Sequence, residues 1–185
     1  MVTLQSLYDA PQISDELRKI ILREATQNLR NAATVAGTLI ASDGRSPLTS
    51  AMLALDAAVT SLPGDEVISL GNFLLMRDQV LGTRIVTKIS IPLNVKLAYE
   101  YVSRTPADLP IVNASVAVWP TGRTRVILGG VGDVSTLASD GPEQGGDETA
   151  AKDAFSQAGD VWASAEYRME VAPILVRRCL SKIGS

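Results

Sequence analysis

The sequence predicts an α+β fold: an antiparallel sheet with helices on one of its faces. Three observations predict it. From Thr83 to about Asp133, apolar and polar residues alternate through a series of short runs, the pattern of strands with one packed face. The connections between those runs are short, which favours antiparallel pairing, because parallel neighbours need a long crossover. After about Thr149 the apolar spacing changes to three and four residues, the repeat of a helix face. Strands followed by helices place the helices together on one side of the sheet.

Along the chain, "SDELRKIILREATQNLR" opens with Ser14 as an N-cap and with Asp15 and Glu16 in the first turn, where carboxylates favour the helix dipole. Leu17, Ile20, Ile21 and Ala25 recur at helical spacing, so the pattern predicts a helix from Asp15 to Leu29. "NAATVAGTLIAS" is β-branched and small and reads as an irregular or short extended segment. "SPLTSAMLALDAAV" predicts a helix with Pro47 in its first turn and Leu48, Met52 and Leu55 on its buried stripe. "AAVTSLPGDEVISLGNFL" predicts two short strands around a turn at Pro63 and Gly64.

In "TRIVTKISIPL", Ile85, Thr87, Ile89 and Ile91 face one way. "NVKLAYEYVSR" puts Val95, Leu97, Tyr99 and Tyr101 on one face, "IVNASVAVWP" alternates Val112, Ala114, Val116 and Val118, and "GRTRVILGGVGD" continues the pattern. "SDGPEQGGDE", Ser139 to Glu148, reads as a polar loop. Helices are predicted over Thr149 to Gln157 and Ala163 to Ile183. In the second, Ala165, Met169, Ala172, Val176, Cys179 and Ile183 share a stripe, and Pro173 is expected to kink or restart the helix. The change of texture divides the chain into pieces 1–81 and 82–185.

Composition excludes several classes. Of 185 residues, 46% are hydrophobic and 4% aromatic, so Val, Ile, Leu and Ala must build the core. A net charge of -3 argues against nucleic acid as a partner, which requires a basic face. Arg177, Arg178 and Lys182 cluster near the C-terminus, where a basic last turn complements the helix dipole. One cysteine, Cys179, and no histidine exclude a disulfide within the chain, a cysteine-rich metal or iron–sulfur site, and a Ser-His or Cys-His nucleophile pair. Cys179 lies on the helical stripe and reads as a buried, inert thiol. The first residues lack a basic start with an apolar run, and no window reaches the roughly 20 apolar residues of a membrane span. The expected location is cytoplasmic, with no membrane contact, and a homo-oligomer stays open.

Two glycine stretches bear on ligands. "TVAGTLIAS" could bring backbone N–H groups to a phosphate, since a Cβ hinders close approach; alone, a single glycine before a helix is more simply a turn. "LGGVGD", Leu128 to Asp133, ends a strand and lacks the spacing and helix of a dinucleotide turn, so it reads as a strand terminus with a bend. Asp108, Asp133 and Asp147 show no spacing for paired acid–base work. Tyr99 and Tyr101 could stack on a planar ligand, although sheet packing is the simpler role.

Together, "RNAATVAGTLIAS", "MLALDAAV", "AYEYVSRTPADLPIVNASVAV", "RVILGGVG" and "ASAEYRMEVAPILVRRCL" resemble the FAD-binding (medium) subunit of the molybdenum hydroxylases, the carbon monoxide dehydrogenase and xanthine dehydrogenase family, over nearly the whole chain and in order. The resemblance implies the second subdomain of a type 2 FAD-binding domain followed by a carbon monoxide dehydrogenase flavoprotein C-terminal-like domain. It implies FAD as cofactor, a molybdenum-type large subunit and an iron–sulfur small subunit as partners, and electrons passing from iron–sulfur centres through FAD to an acceptor. The first FAD subdomain has no counterpart, since too few residues precede Ser14, and the isolated chain is not expected to be active alone.

By the same resemblance, Thr34, Val35, Ala36, Gly37 and Thr38 occupy the second flavin phosphate turn, Ser46 the serine position of the Ser-Asp pair that follows it, and Tyr99 flanks the ring. The turn departs from the family's T-[VI]-G-G-N: Ala36 replaces the first glycine, Thr38 the asparagine, and Pro47 the aspartate of a Ser-Asp pair. Each change removes a close approach or a hydrogen-bonding group. Glu100 stands where some relatives place a lysine near the flavin. The alternative implied by these losses is a flavin-free scaffold or interaction module that keeps the fold.

Overall fold

The computed structural model describes residues 1–80, 82–142 and 146–184. Five helices lead the described chain: α1 (Leu4–Tyr8), α2 (Asp15–Glu24), α3 (Gln27–Ala32), α4 (Val35–Ala41) and α5 (Pro47–Ala54). Ser14 caps α2 by accepting the Leu17 N–H, as its sequence position suggests. The helix expected to reach Leu29 instead stops at Glu24: Ala25 is extended and the chain restarts as α3. Tertiary contacts account for the break. The carbonyl of the extended Ala25 is taken by Arg30 Nη1 at 2.8 Å, while Arg30 Nε donates to Gln5 of α1 at 3.0 Å.

"TVAGTLIA" is the helix α4 and not an extended segment. Its β-branched start misled the reading, because Thr34 serves as the N-cap and Val35 and Leu39 are buried. In α5 all eight residues are buried, as in a helix enclosed on every side. Pro47 opens it at a position where the missing N–H is no loss. Each of Leu48, Met52 and Leu53 contributes roughly 1.5–3 kcal/mol by leaving water.

Next come β1 (Ala58–Leu62), β2 (Glu66–Ser69), α6 (Leu70–Leu75), α7 (Arg77–Val80) and β3 (Ile85–Ser90). β1 and β2 form the expected hairpin around Pro63 and Gly64, but "LGNFLL" after it is helical, started by Ser69 accepting the Asn72 N–H. The first sheet has the order β2-β1-β3. The alternating run of β3 therefore pairs with β1 and not with the strands that follow it.

The second sheet runs β4-β5-β6-β7, an antiparallel meander of β4 (Lys96–Val102), β5 (Val112–Val118), β6 (Arg123–Gly129) and β7 (Thr136–Pro142). The polar stretch expected as one loop is partly regular: Ser139 to Pro142 belong to β7, and Asp147 and Glu148 begin α8 (Asp147–Ala154). Cross-strand pairing to Arg123–Val126 draws those polar residues into the sheet. Residues 143–145 of that stretch lie outside the described residues. α9 (Ala165–Gly184) runs through Pro173 as one helix without a restart. Packing of Ala172, Leu175 and Val176 on either side outweighs the roughly 3 kcal/mol cost of an interior proline.

Helices α8 and α9 cover one face of the second sheet, over Val112, Ala114, Val116, Val126 and Leu128. The opposite face is covered too. Leu97, Tyr99, Ala117 and Ile127 pack into the core of the N-terminal helices, and Ser50 of α5 meets Ser115 of β5 in a buried hydroxyl pair at 2.9 Å.

Candidate functional site

The stretch Thr34–Thr38 is the first turn of α4. Thr34 Oγ1 accepts the Gly37 N–H at 3.1 Å. The N–H of Val35 donates to Val2 O and that of Thr38 to Thr34 O, and Thr3 and Thr34 form a β-bridge. Among the described residues the Ala36 N–H is then the one first-turn amide without a partner. Gly37 has a local reason to be glycine: a Cβ there would lie 2.8 Å from Thr34 Oγ1, so the cap and a larger side chain exclude each other.

A cavity of about 420 Å³ opens beside this turn. Thr34, Val35 and Ala36 form one wall, Met52 of α5 the floor, and Val86, Lys88 and Ile89 of β3 the other wall. The lining is mostly apolar, with Lys88 as its one charged side chain among the described residues. Of the turn residues that the resemblance implies for the cofactor, Thr34, Val35 and Ala36 line this cavity and Gly37 and Thr38 do not. Sequence reasoning missed β3, because its contribution depends on pairing with β1 across the intervening helices.

Ser46 and Tyr99 do not line this cavity. Ser46 is 3% exposed. It caps α5 by accepting the Thr49 N–H and donates its own proton to Glu24 Oε2 at 2.8 Å. Glu24 also accepts the Leu48 N–H at 2.9 Å, so a carboxylate of the chain itself sits at the positive end of α5. Burial raises the Glu24 pKa, and the bonds from Leu48 and Ser46 only partly offset it. Tyr99 is 6% exposed, with its ring stacked on Tyr101 at 5.7 Å and its hydroxyl without a hydrogen-bond partner among the described residues. Burial pushes its phenol well above the usual range. The outer face of Tyr101 is taken by Arg23, whose guanidinium lies 3.8 Å from the ring centroid. Glu100 pairs with Lys182 of α9 at 2.6 Å.

The second glycine stretch meets Gly44, in the loop that leads into α5. Gly44 donates to Gly132 O at 2.9 Å and accepts from the Gly130 N–H at 2.7 Å. Gly130 has φ 118°, and a Cβ there would fall 2.2 Å from Ile111 O, so backbone packs on backbone where a side chain cannot enter. The "LGGVGD" bend thus fastens the entry to α5.

Sequence reasoning also missed Arg168, fully buried at 0% exposure. Its guanidinium donates to the carbonyls of Ile111, Ala158, Ala163 and Gly130 and to Asp160 Oδ1. The helical pattern around it gives no sign that an arginine points inward. Among the described residues no group of His, Cys, Asp and Glu could hold a metal ion, and no helix is long and apolar enough to cross a membrane.

The chain belongs to the family described as FAD binding domain in molybdopterin dehydrogenase, whose model matches residues 1–94 and so takes in the α4 turn, α5 and the first sheet. FAD is the cofactor that this membership implies. Among individual proteins, the chain is similar to the uncharacterized protein YgfM of Escherichia coli (strain K12), 29% identical over 180 residues, covering 95% of this chain and 68% of YgfM. It is also similar to the alpha subunit of the 6-hydroxypseudooxynicotine dehydrogenase complex of Paenarthrobacter nicotinovorans, 29% identical over 181 residues, covering 85% of this chain and 61% of that subunit. Its fold matches a chain of the carbon monoxide dehydrogenase of Hydrogenophaga pseudoflava with a TM-score of 0.77 and 18% identity, over 99% of this chain and 72% of that one.

Proposed function

We propose that this chain acts as a flavoprotein component of a molybdopterin-dependent dehydrogenase in the cytoplasm, where bound FAD would supply the redox chemistry between iron–sulfur centres on a partner chain and an external acceptor. The observation that carries the reading is the cavity beside Thr34, Val35 and Ala36, the turn that family resemblance assigns to the cofactor. Its fit to FAD is partial. The apolar walls suit a ring or a ribityl chain. The Ala36 N–H can make one polar contact, and Lys88 lies on the wall to balance phosphate charge. Gly37 shapes the turn but spends its amide on Thr34. The chain alone therefore holds FAD weakly, and partner subunits complete the site. The pairing of β3 with β1 further suggests that the first structural unit extends through Ser90 and the second begins near Lys96.

Purified chain is titrated with FAD by calorimetry and flavin fluorescence, alone and with the molybdenum-type and iron–sulfur subunits. Saturable binding that strengthens with the partners supports the reading, and absence of binding with all partners present refutes it. A second reading, a flavin-free scaffold, is favoured by one specific finding: the Ser46 hydroxyl is spent on Glu24 and buried. A yellow preparation with stoichiometric flavin rules that reading out.

A further inference from the structure

A second cleft, of about 310 Å³, lies away from the α4 turn, between Arg45, Arg104, Ala107, Asp108, Leu109 and Trp162. Two guanidinium groups lie against one indole there: Arg45 at 4.5 Å and Arg104 at 5.0 Å from the Trp162 ring centroid. Among the described residues neither arginine makes an ion pair. The one carboxylate on the wall, Asp108, turns Oδ2 to the Thr105 N–H at 3.1 Å.

The parts are held in place before any ligand arrives. Arg45 donates to Pro110 O at 3.0 Å and Leu109 O at 2.8 Å, which fixes its plane and leaves Nη1 uncommitted. Trp162 is fixed from behind, because Asp160 Oδ1 accepts the amides of Trp162 and Ala163 and is itself gripped by Arg168. Two like charges brought together around one ring repel each other within a Debye length. Both line one cleft, so an anion held there would offset the charge of both. Guanidinium donors favour phosphoryl oxygens; with Nη1 of Arg45 uncommitted and Arg104 also on the lining, donors from two separate guanidiniums suit two linked phosphoryl groups better than one.

We propose that the Arg45–Arg104–Trp162 cleft binds a diphosphate group, either free or carried by a nucleotide. The site stands apart from the cavity beside α4 and does not depend on FAD being held there. The test is calorimetric titration of the full chain with inorganic pyrophosphate and with ADP. Saturable binding with Kd below about 1 mM is expected for at least one of them. Tighter binding of ADP assigns the site to a nucleotide and tighter binding of pyrophosphate to the free anion, and both outcomes uphold it. Arg104 is exposed, so Arg104→Gln leaves the fold intact and weakens binding by at least about tenfold. Arg178→Gln, an exposed arginine on α9, leaves it unchanged. No saturable heat up to about 10 mM of either anion, or equal loss in the two variants, overturns the proposal. Absence of FAD binding alongside saturable pyrophosphate binding would defeat only the flavoprotein reading.

Discussion

Replacing Arg168 by Met removes a buried cation while keeping much of its volume. The wild-type guanidinium meets Ile111 O at 3.1 Å, Ala163 O at 3.0 Å, Gly130 O at 3.1 Å, Asp160 Oδ1 at 2.9 Å, and Ala158 O. Adding about 1.5–3 kcal/mol for every charged hydrogen bond would assign to this one side chain as much as the stability of a whole domain, about 5–15 kcal/mol, so the bonds are not additive. The better measure is removal of one partner from a buried charged pair, about 3–5 kcal/mol. The orphaned carbonyls and the Asp160 carboxylate then face a methyl group. With a urea slope of about 2 kcal/mol/M, the midpoint falls by about 2 M. The slope itself stays constant, since the same surface is exposed on unfolding. Arg168→Lys recovers little, because a point charge on a flexible stem cannot reproduce the planar fork. A loss below about 1 kcal/mol in Arg168→Met would refute this account of the latch.

The cap of α4 gives a mutant cycle with a sign reversal. Thr34→Ala costs about 1 kcal/mol and Gly37→Ala also destabilises, because its Cβ meets Thr34 Oγ1 at 2.8 Å; once Thr34 is Ala, the glycine change stabilises by up to about 1 kcal/mol, all read by urea unfolding. On the acid side, Asp140 is held below the usual carboxylate range chiefly by its bond from Arg123. For Asp160, burial pulls upward, but the bonds from Arg168, Trp162 and Ala163 outweigh it and leave the pKa lowered. Their stabilisation is complete above the unfolded value of about 3.9 and is lost as pH falls through the lower folded values, so Asp140→Asn flattens the acid limb of a stability–pH curve. On the alkaline side, burial pushes the Cys179 thiol up to about 12. Its contribution is complete below the unfolded value of about 8.5 and fades as pH rises toward 12. At neutral pH a chromogenic disulfide reagent modifies the native thiol at least about a hundredfold more slowly than the urea-unfolded one.

The parts of the fold that were legible are those with a strong local period. The alternation around Val112–Val118, the Ser14 cap and the Pro47 helix start all appear where the sequence puts them. The errors share a cause, which is local appearance overruled by a distant partner. Glu24 ends α2 where its carboxylate reaches the start of α5. Thr34 turns a β-branched stretch into a capped helix, and β3 finds β1 across two short helices. The same limit governs the site. Thr34–Ala36 were implied by resemblance and line the cavity, but Lys88 and Ile89 come to it through strand pairing. Arg45, Arg104 and Trp162 meet from three separate loops, a juxtaposition with no counterpart in any window of sequence.

The second sheet explains why the two halves of the chain work as one body. Its strands divide their side chains between two cores: Ala98, Val112, Ala114 and Val116 go to the α8–α9 side, while Leu97, Tyr99 and Ala117 go to the N-terminal helices. A sheet buried on both faces cannot lose either cover without exposing half of its apolar surface. α5 is the element that makes the junction, because every one of its residues is buried and its outer neighbours include both β5 and β6. The Gly44–Gly130–Gly132 contact and the Glu24 carboxylate fasten its N-terminus from opposite halves of the chain. The start of α5, where flavin recognition is implied by resemblance, is thereby already committed to holding the fold together. The space left for a ligand lies to either side of it: the apolar cavity at α4, and the arginine cleft that opens beyond Arg45.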